Sequence, residues 1–575
     1  MVENFLLVTR KADITFLTIF SPCIRIFHVP PTKRGLKLYD ILNRFFLLGD
    51  SAVNKQKYEF EDEPIRGYPE LRWQGKRPFR STQFYPAQLK ETYGKPVDGW
   101  LNRIYWGDNH QVMSHLMKEF RGKVQLIYID PPFNSKAEYK KKVILKGKHH
   151  SVFEEKQYTD IWTNDDYLQF MYERLILCRE LLSDQGSIYI HLGPNISHYV
   201  KTIVDGVFGP SNFLNELIWK RAFGHSDSGK FGAIHDIILF YGKNKQRIWN
   251  KLFQKPDKEY INRFFDSYDK ERNERYQRLS LSAGGLTGGG YDYEYKGVRT
   301  NWRCPLSTLK KHDKEKRLHW PKNGGVPRLK KYESEYKGMP IQDLWLDISK
   351  IHNQSPELYG YPTQKPEALL ERIIMASSNP SDLVLDCFMG SGTTQAVAMK
   401  LGRRFIGADI NLGAIQITTK RLLSVAANLK QQNAQVQIDT DSDDDLIHYT
   451  GFSVYNVEIL RDEANLEFKR DSEAKVIVSN GKLVIEQFYP MNLLQKLSLF
   501  EENVEDWREL TESVMVDWNY DGDVLRPEIT DIPGKNKLVK GEYKIPKKYS
   551  RIRVKITDML SEHWEGDVSM AMRGQ

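Results

Sequence analysis

The stretch "DLVLDCFMGSGTTQAVAMKLGRRFIGADI", Asp382 to Ile410, constrains this chain more than any other. An apolar run ends at a Gly-x-Gly turn, a helix-forming segment follows, and a second apolar run ends on Asp409. Strand, helix and strand in that order make a right-handed crossover unit, with parallel strands and a helix on one face of the sheet. Gly390 and Gly392 stand where the first strand turns into the helix. Lacking side chains, they let a ligand approach the backbone and leave the first helical N–H groups facing it. Asp409 closes the unit where nucleotide-binding α/β units direct an acid at ribose hydroxyls.

A phosphate-binding loop reads GxxxxGK[ST], and no lysine follows Gly392. The ligand expected is therefore a nucleoside without a phosphate tail, a description that S-adenosylmethionine fits.

A second strand ends just as abruptly. "GKVQLIYID" is apolar and β-branched, and the next residues, Pro131 and Pro132, lack an N–H and have φ fixed, so the strand stops at Asp130. Asp130 and Phe133 are left at a strand's carboxyl end, where open α/β sheets bind ligands. Facing a nucleoside pocket, such a loop suits a planar base that carries an exocyclic NH₂. The Asp130 carboxylate accepts one amine hydrogen and the Pro131 carbonyl the other, which raises lone-pair density on the nitrogen. Phe133 offers a stacking face to a flipped base, worth roughly 1–3 kcal/mol.

Elsewhere the patterning is α/β. "GDNHQVMSHLMKEF" predicts a turn and a short helix with Val112, Leu116 and Phe120 on one face, and "NDDYLQFMYERLILCRELLSDQG" a longer helix capped by Asn164 or Asp165. "SIYIHL" and "HDIILFYG" read as strands, and "PEALLERIIMASS" as a helix. Residues 53–100 read as an aromatic, proline-rich wrapping arm, and Asn134 to Thr163 as a polar loop. Late in the chain, "KVIVSNGKLVIEQF" predicts a hairpin turning at Asn480-Gly481.

The net charge of +9 is unevenly spread: residues 241–340 hold 24 basic and 12 acidic side chains, net +12, while residues 441–575 hold 18 and 27, net −9. The middle segment alone could supply a phosphate-binding surface. The four cysteines, Cys23, Cys178, Cys304 and Cys387, form no metal-ligand spacing, so neither zinc nor a disulfide framework is expected, and a reducing cytoplasm fits. The uncharged run "ITFLTIFSPCI" is too short to span a membrane.

With these motifs in place, the sequence resembles the amino-methyltransferases of DNA, in particular the permuted β class, whose catalytic loop precedes its cofactor loop. The likeness covers roughly residues 70–425. It implies a Rossmann-like, mostly parallel α/β methyltransferase domain with an inserted recognition domain, to which the late hairpin pattern adds a β-rich C-terminal domain. Asp130, Pro131, Pro132 and Phe133 are similar to the catalytic motif. Asp108 and Asn109 look like the loop near the cofactor adenine, and Thr363, Gln364 and Lys365 like the segment beside the cofactor carboxylate. Asp386, Phe388, Gly390, Ser391, Gly392 and Thr393 resemble the motif around the methionine moiety, and Asp409 the ribose-binding acid. Phe133 departs from the commoner tyrosine, and Cys387 from the usual proline.

Composition, strand patterning and the resemblance together divide the chain into an extension at 1–52, weakly ordered; a catalytic half at 53–242; a target recognition domain at 243–345; a cofactor half at 346–430; and a β-rich accessory domain at 446–575. The resemblance implies S-adenosylmethionine-dependent methylation of adenine N6 in double-stranded DNA, without a metal. The order of parts also looks like the modification subunits of type III restriction systems, which implies a helicase–nuclease restriction subunit as partner, with a homodimer common in the class. Cytosine N4 methylation, or a non-catalytic DNA-recognition subunit of a nuclease complex, are the alternatives. Methyl transfer to an amine needs no strong base beforehand, so His149, His150, His191, His225 and His235 are assigned no chemistry.

Overall fold

The structure is a computed structural model that describes residues 6–10, 13–20, 23–29, 57–60, 67–133, 137–146, 152–160, 163–222, 224, 229, 231–254, 256–284, 290–352, 354–439, 450–457, 472–500, 502, 504–534 and 537–568. The chain divides into two units, Met1–Lys57 and Tyr58–Gln575. In the first, where a weakly ordered extension is expected, Leu6–Arg10, Asp13–Phe20 and Cys23–Val29 pair as an antiparallel meander.

The second unit is built on a ten-stranded sheet. Its strands, in chain order, are β1 (Ala87–Tyr93), β2 (Asn102–Trp106), β3 (Val124–Ile129), β4 (Leu182–Leu192), β5 (Phe213–Lys220), β6 (His235–Gly242), β7 (Leu344–Trp345), β8 (Leu383–Asp386), β9 (Arg404–Asp409) and β10 (Phe452–Val457). They lie in the order β7-β5-β6-β4-β3-β8-β9-β2-β10-β1. From β4 to β10 every neighbouring pair is parallel, while β6 runs against both β4 and β5, and β1 against β10.

Helices cover both faces, which is why the central strands read as unbroken apolar runs. Every residue of β3 except Gln125 is buried. Side chains of α1 (Asn109–Phe120), α2 (Asn164–Leu181) and α3 (Ser197–Phe208) build the core on one face; those of α4 (Glu367–Ser377), α5 (Thr393–Lys400) and α6 (Leu412–Asp439) build it on the other. The cap of α2 is Thr163, whose side chain accepts from the Asp166 N–H, rather than Asn164 or Asp165. Strands β3 and β8 are neighbours, yet β3 leads toward α2 on one face and β8 into α5 on the opposite one. The crevice at their carboxyl ends is the topological switch point of the sheet.

Three segments differ from their sequence reading. The supposed loop after Phe133 contains two paired strands, Ala137–Val143 and Phe153–Asp160. The insertion after β6 ends one strand early, because Leu344 and Trp345 rejoin the main sheet beside β5. The stretch expected to open the accessory domain supplies β10, which sits inside the main sheet between β2 and β1.

The insertion carries a four-stranded antiparallel sheet, Ser267–Asp269, Glu274–Ser280, Arg328–Tyr332 and Leu318–His319, and a hairpin of Tyr291–Tyr295 with Val298–Trp302. Its small core gathers Leu281, Trp302, Leu309 and Leu318, with Tyr293, Tyr295 and Trp320 packed on them and Tyr291 left exposed. The C-terminal region is β-rich, with its own core around Leu483, Phe488, Val514, Trp518 and Val554. Its hairpin turns at Asn480 (φ 49°) and Gly481 (φ 73°), the paired positive φ values of a tight Asn-Gly turn.

Candidate active site

Parallel register brings the ends of β3, β8 and β9 to one edge, and with them Asp130, Asp386 and Asp409. Asp130 follows the last residue of β3 and is partly exposed. Its carboxylate is paired with the Lys365 ammonium, which also donates to the Thr363 carbonyl at 3.3 Å. One contact thus joins residues 235 positions apart. Phe133 lies with its ring centroid 5.3 Å from Lys365 Nζ and 5.8 Å from the His191 ring. It is packed over Gly193, where a Cβ would come within 3.2 Å of the ring.

Behind Phe133 runs a row of polar groups that motif reading did not single out. The Tyr128 hydroxyl and His191 Nδ1 are 2.8 Å apart, and His191 Nε2 lies 3.2 Å from Asp236 Oδ2. Arg221 Nε closes the row 2.7 Å from Asp236 Oδ1. Tyr128, His191 and Asp236 are buried. Burial pushes the Asp236 carboxyl up, but the His191 bond and charge, aided by Lys365 and Arg221, bring it below its ordinary value. The signal available was positional: Tyr128 precedes the proline turn by three residues, and "IHL" and "HD" close or open strands at the same edge.

The glycine turn is built from both ends. Asp386, fully buried, accepts from the Phe388 N–H at 3.0 Å and from Thr394 Oγ1 at 2.6 Å. Burial pushes its carboxyl up to about 7 against those donors, with the charges of Asp130 and Asp409 adding to the rise. Asp409 accepts from the backbone N–H of Gly390 and of Asn411, both at 2.8 Å. Its burial outweighs them and raises the carboxyl to about 6. Gly392 is left-handed (φ 69°), and a Cβ there would fall 2.5 Å from Thr418 Cγ2; at Gly390 (φ 51°) it would meet the Tyr361 ring at 3.1 Å. The turn therefore accepts no side chain at either glycine.

The remaining expected residues surround this turn in different ways. Asp108 caps α1 by accepting from the His110 N–H at 2.9 Å. Asn109 is buried: its Nδ2 donates to the Cys387 carbonyl at 3.2 Å and its Oδ1 accepts from Arg174 Nε at 2.6 Å. Arg174, which the sequence reading missed, also lies 3.4 Å from Asp108 and stacks on Phe170 at 3.6 Å. Thr363 has positive φ (64°). Gln364 folds its own segment, accepting from Tyr359 N at 3.0 Å and donating to the Glu357 carbonyl at 2.5 Å. Phe388 packs its ring edge-on against Phe170. Ser391 and Thr393 are buried, and Thr393 Oγ1 donates to the Lys365 carbonyl at 3.2 Å. Arg421, buried and likewise unforeseen, donates to Thr393 Oγ1 at 2.8 Å and pairs with Glu367 at 2.8 Å.

Residues 124–420, just over half of the chain, match the N6/N4 methyltransferase family, described as DNA methylase. This chain belongs to that family. The type II methyltransferase M.EcaI of Enterobacter cloacae is 35% identical over 326 residues, covering 56% of this methylase chain and 69% of the relative. The Mod subunit of the type III restriction-modification enzyme StyLTI, from Salmonella typhimurium, is 29% identical over 401 residues, 60% of each chain. The DNA adenine methyltransferase YhdJ of Escherichia coli K12 is 25% identical over 311 residues, 54% of this chain and 80% of its own. Among the described residues no group of three or more His, Cys, Asp and Glu side chains could hold a metal ion, and no helix is long and apolar enough to cross a membrane.

Proposed function

We propose that this methylase transfers a methyl group from S-adenosylmethionine to N6 of an adenine flipped out of double-stranded DNA, as the modification part of a restriction-modification system. The observation that carries the reading is the adjacency of two loops: Asp130-Pro131-Pro132-Phe133 at the end of β3 and Gly390-Ser391-Gly392 after the neighbouring β8. A nucleoside cofactor fits the second loop. Its glycines turn the backbone at positive φ, with Thr418 and the Tyr361 ring packed where their Cβ atoms would stand, and the Asp409 carboxylate, with about four acceptor positions, can take a ribose hydroxyl besides the backbone N–H groups of Gly390 and Asn411. S-adenosylmethionine would supply the sulfonium methyl.

The chain's own residues then act on the base. The Asp130 oxygen not paired with Lys365 and the Pro131 carbonyl accept the two amine hydrogens, orienting the nitrogen lone pair towards the methyl donor. Phe133, held by Gly193 and His191, stacks on the base and excludes water from one face. After transfer the amine sheds one proton, for which Asp130 is the nearest acceptor within this proposal. The basic insertion supplies the surface for duplex phosphate. Aspartate at the first position of the catalytic motif favours adenine, as it does in the class resembled, and one relative is named an adenine methyltransferase. Two further relatives are named as a type II methyltransferase and a type III Mod subunit, which supports a restriction subunit as partner.

Incubation with labelled cofactor and unmethylated DNA, followed by hydrolysis and chromatography, tests this directly. N6-methyldeoxyadenosine is the expected product. N4-methyldeoxycytidine alone rejects the choice of base, and DNA binding without any transfer leaves a recognition subunit in its place.

A further inference from the structure

The acidic C-terminal region holds a buried contact that the chemistry above does not use. Two strands follow the catalytic motif, Ala137–Val143 and Phe153–Asp160; Val143 at the end of the first, Leu145 just beyond it and Phe153 at the start of the second are buried in a cluster with Leu493, Leu497 and Leu510 of the C-terminal region. Phe153 stacks on Phe500 at 5.5 Å with the ring planes 9° apart. On the rim, Lys496 pairs with Glu155 at 2.6 Å.

At the centre of this contact stands Lys146, whose side chain is 3% exposed. Its amide donates to the Glu509 carbonyl at 3.0 Å; its ammonium donates to the Pro533 carbonyl at 3.1 Å and lies 3.3 Å from the Glu512 carboxylate. A lysine cation taken out of water is costly unless its partners are closely placed, so this is a poor choice for generic packing. Glu512 has a second partner, Lys420 on α6. The same helix bears Thr418, which sits against Gly392 and donates to the Gly390 carbonyl at 3.2 Å. One carboxylate of the C-terminal region therefore ties the hairpin leaving the catalytic motif to the helix that closes the glycine turn. Lys146, Lys420 and Glu512 also share the wall of a cavity of about 1000 Å³, so beside the apolar cluster it is these polar ties that span the gap between the hairpin, the C-terminal region and α6.

We propose that the C-terminal region positions the catalytic loop against the cofactor loop, with Lys146 and Glu512 as the positioning residues. Neither touches the base or the cofactor; they hold the hairpin whose first strand starts four residues after Phe133. The proposal rests on the methyl-transfer reading above.

The test compares the full-length wild type with Lys146→Met and Glu512→Gln, using labelled S-adenosylmethionine and unmethylated genomic DNA. Single-turnover transfer should slow on the order of tenfold to a hundredfold, as a misplaced reacting group does. The dissociation constants for cofactor and DNA should stay within about threefold, because neither ligand is contacted. Amide hydrogen exchange over residues 137–155 should quicken while exchange over 383–409 does not. Wild-type transfer rates in both variants overturn the proposal, as does a loss of cofactor affinity equal to the loss of rate. Should Lys146→Met fail to fold, Lys496→Met on the rim takes its place: slower transfer at unchanged affinities supports the assignment, and an unchanged rate overturns it. A wild type that transfers no methyl group at all defeats the functional reading instead, which keeps the two failures apart.

Discussion

Three carboxylates at neighbouring strand ends divide the work at the scale of single residues. Asp130 is assigned to the base and not to the cofactor. Asp130→Ala should therefore abolish methylation while calorimetry finds cofactor affinity within a few fold of wild type; an active Asp130→Ala enzyme would sink its role. Gly392→Val should act the other way. It forces a β-branched residue to φ 69° and drives its Cβ into Thr418, so cofactor binding should be lost. Asp409 gives a pH signature. Its folded carboxyl is raised to about 6, so the carboxylate that ribose hydroxyls need forms only as pH climbs through that value. Cofactor affinity should weaken by about tenfold for each unit below it and level off above, since one pKa unit corresponds to one decade. A flat profile from pH 5 to 8 would remove Asp409 from the cofactor site.

At the scale of elements, the insertion should behave as a separable layer because it has its own core. Trp302 is fully buried there and its indole N–H donates to the Tyr293 carbonyl at 2.8 Å. Trp302→Ala should cost about 3–5 kcal/mol, as large-to-small core changes do. The expected outcome is loss of DNA binding in a shift assay with cofactor binding retained. Loss of both would mean that the insertion also supports the main sheet. Its exposed charges predict a salt effect. Lys310→Glu with Lys322→Glu should weaken DNA binding and flatten its salt dependence, whereas Lys537→Glu with Lys540→Glu in the acidic region should change neither. The C-terminal region does not separate so cleanly, because β10 lies within the main sheet and a cut before it would expose β2.

For the whole molecule, chain order and spatial order part company. The catalytic half comes first in sequence, yet β3 lies next to β8, which is more than 250 residues away. The Lys365–Asp130 pair closes the site across 235 residues, and the Arg174–Asp108 contact across 66. A protein assembled in this way should lose both ligand activities together when its core fails, so a single thermal transition raised by added cofactor is expected from calorimetry. Two transitions, only one of them cofactor-sensitive, would show that the halves fold apart.

Much of the site was legible beforehand because its signals are local. Pro131 and Pro132 end a strand through their own φ and missing N–H groups, and Gly390 and Gly392 mark a turn that tolerates no Cβ. The hairpin at Asn480-Gly481 was legible for the same reason, since the turn is written in two adjacent residues. What escaped the sequence depends on partners distant in the chain. Arg174 and Arg421 read as ordinary helix residues until Asn109 and Thr393 are folded against them. His191 and Asp236 form a buried pair only after β6 is laid antiparallel beside β4. The strands Ala137–Val143 and Phe153–Asp160 are too polar to predict a buried sheet, and their ends are covered by residues some 350 positions later. The sequence by itself determined where strands stop and which loops could face a ligand, because backbone sterics act within a few residues. Only the tertiary structure decided which charges are paired and which segment braces the catalytic loop, because burial and Coulomb energy depend on distance in space and not along the chain.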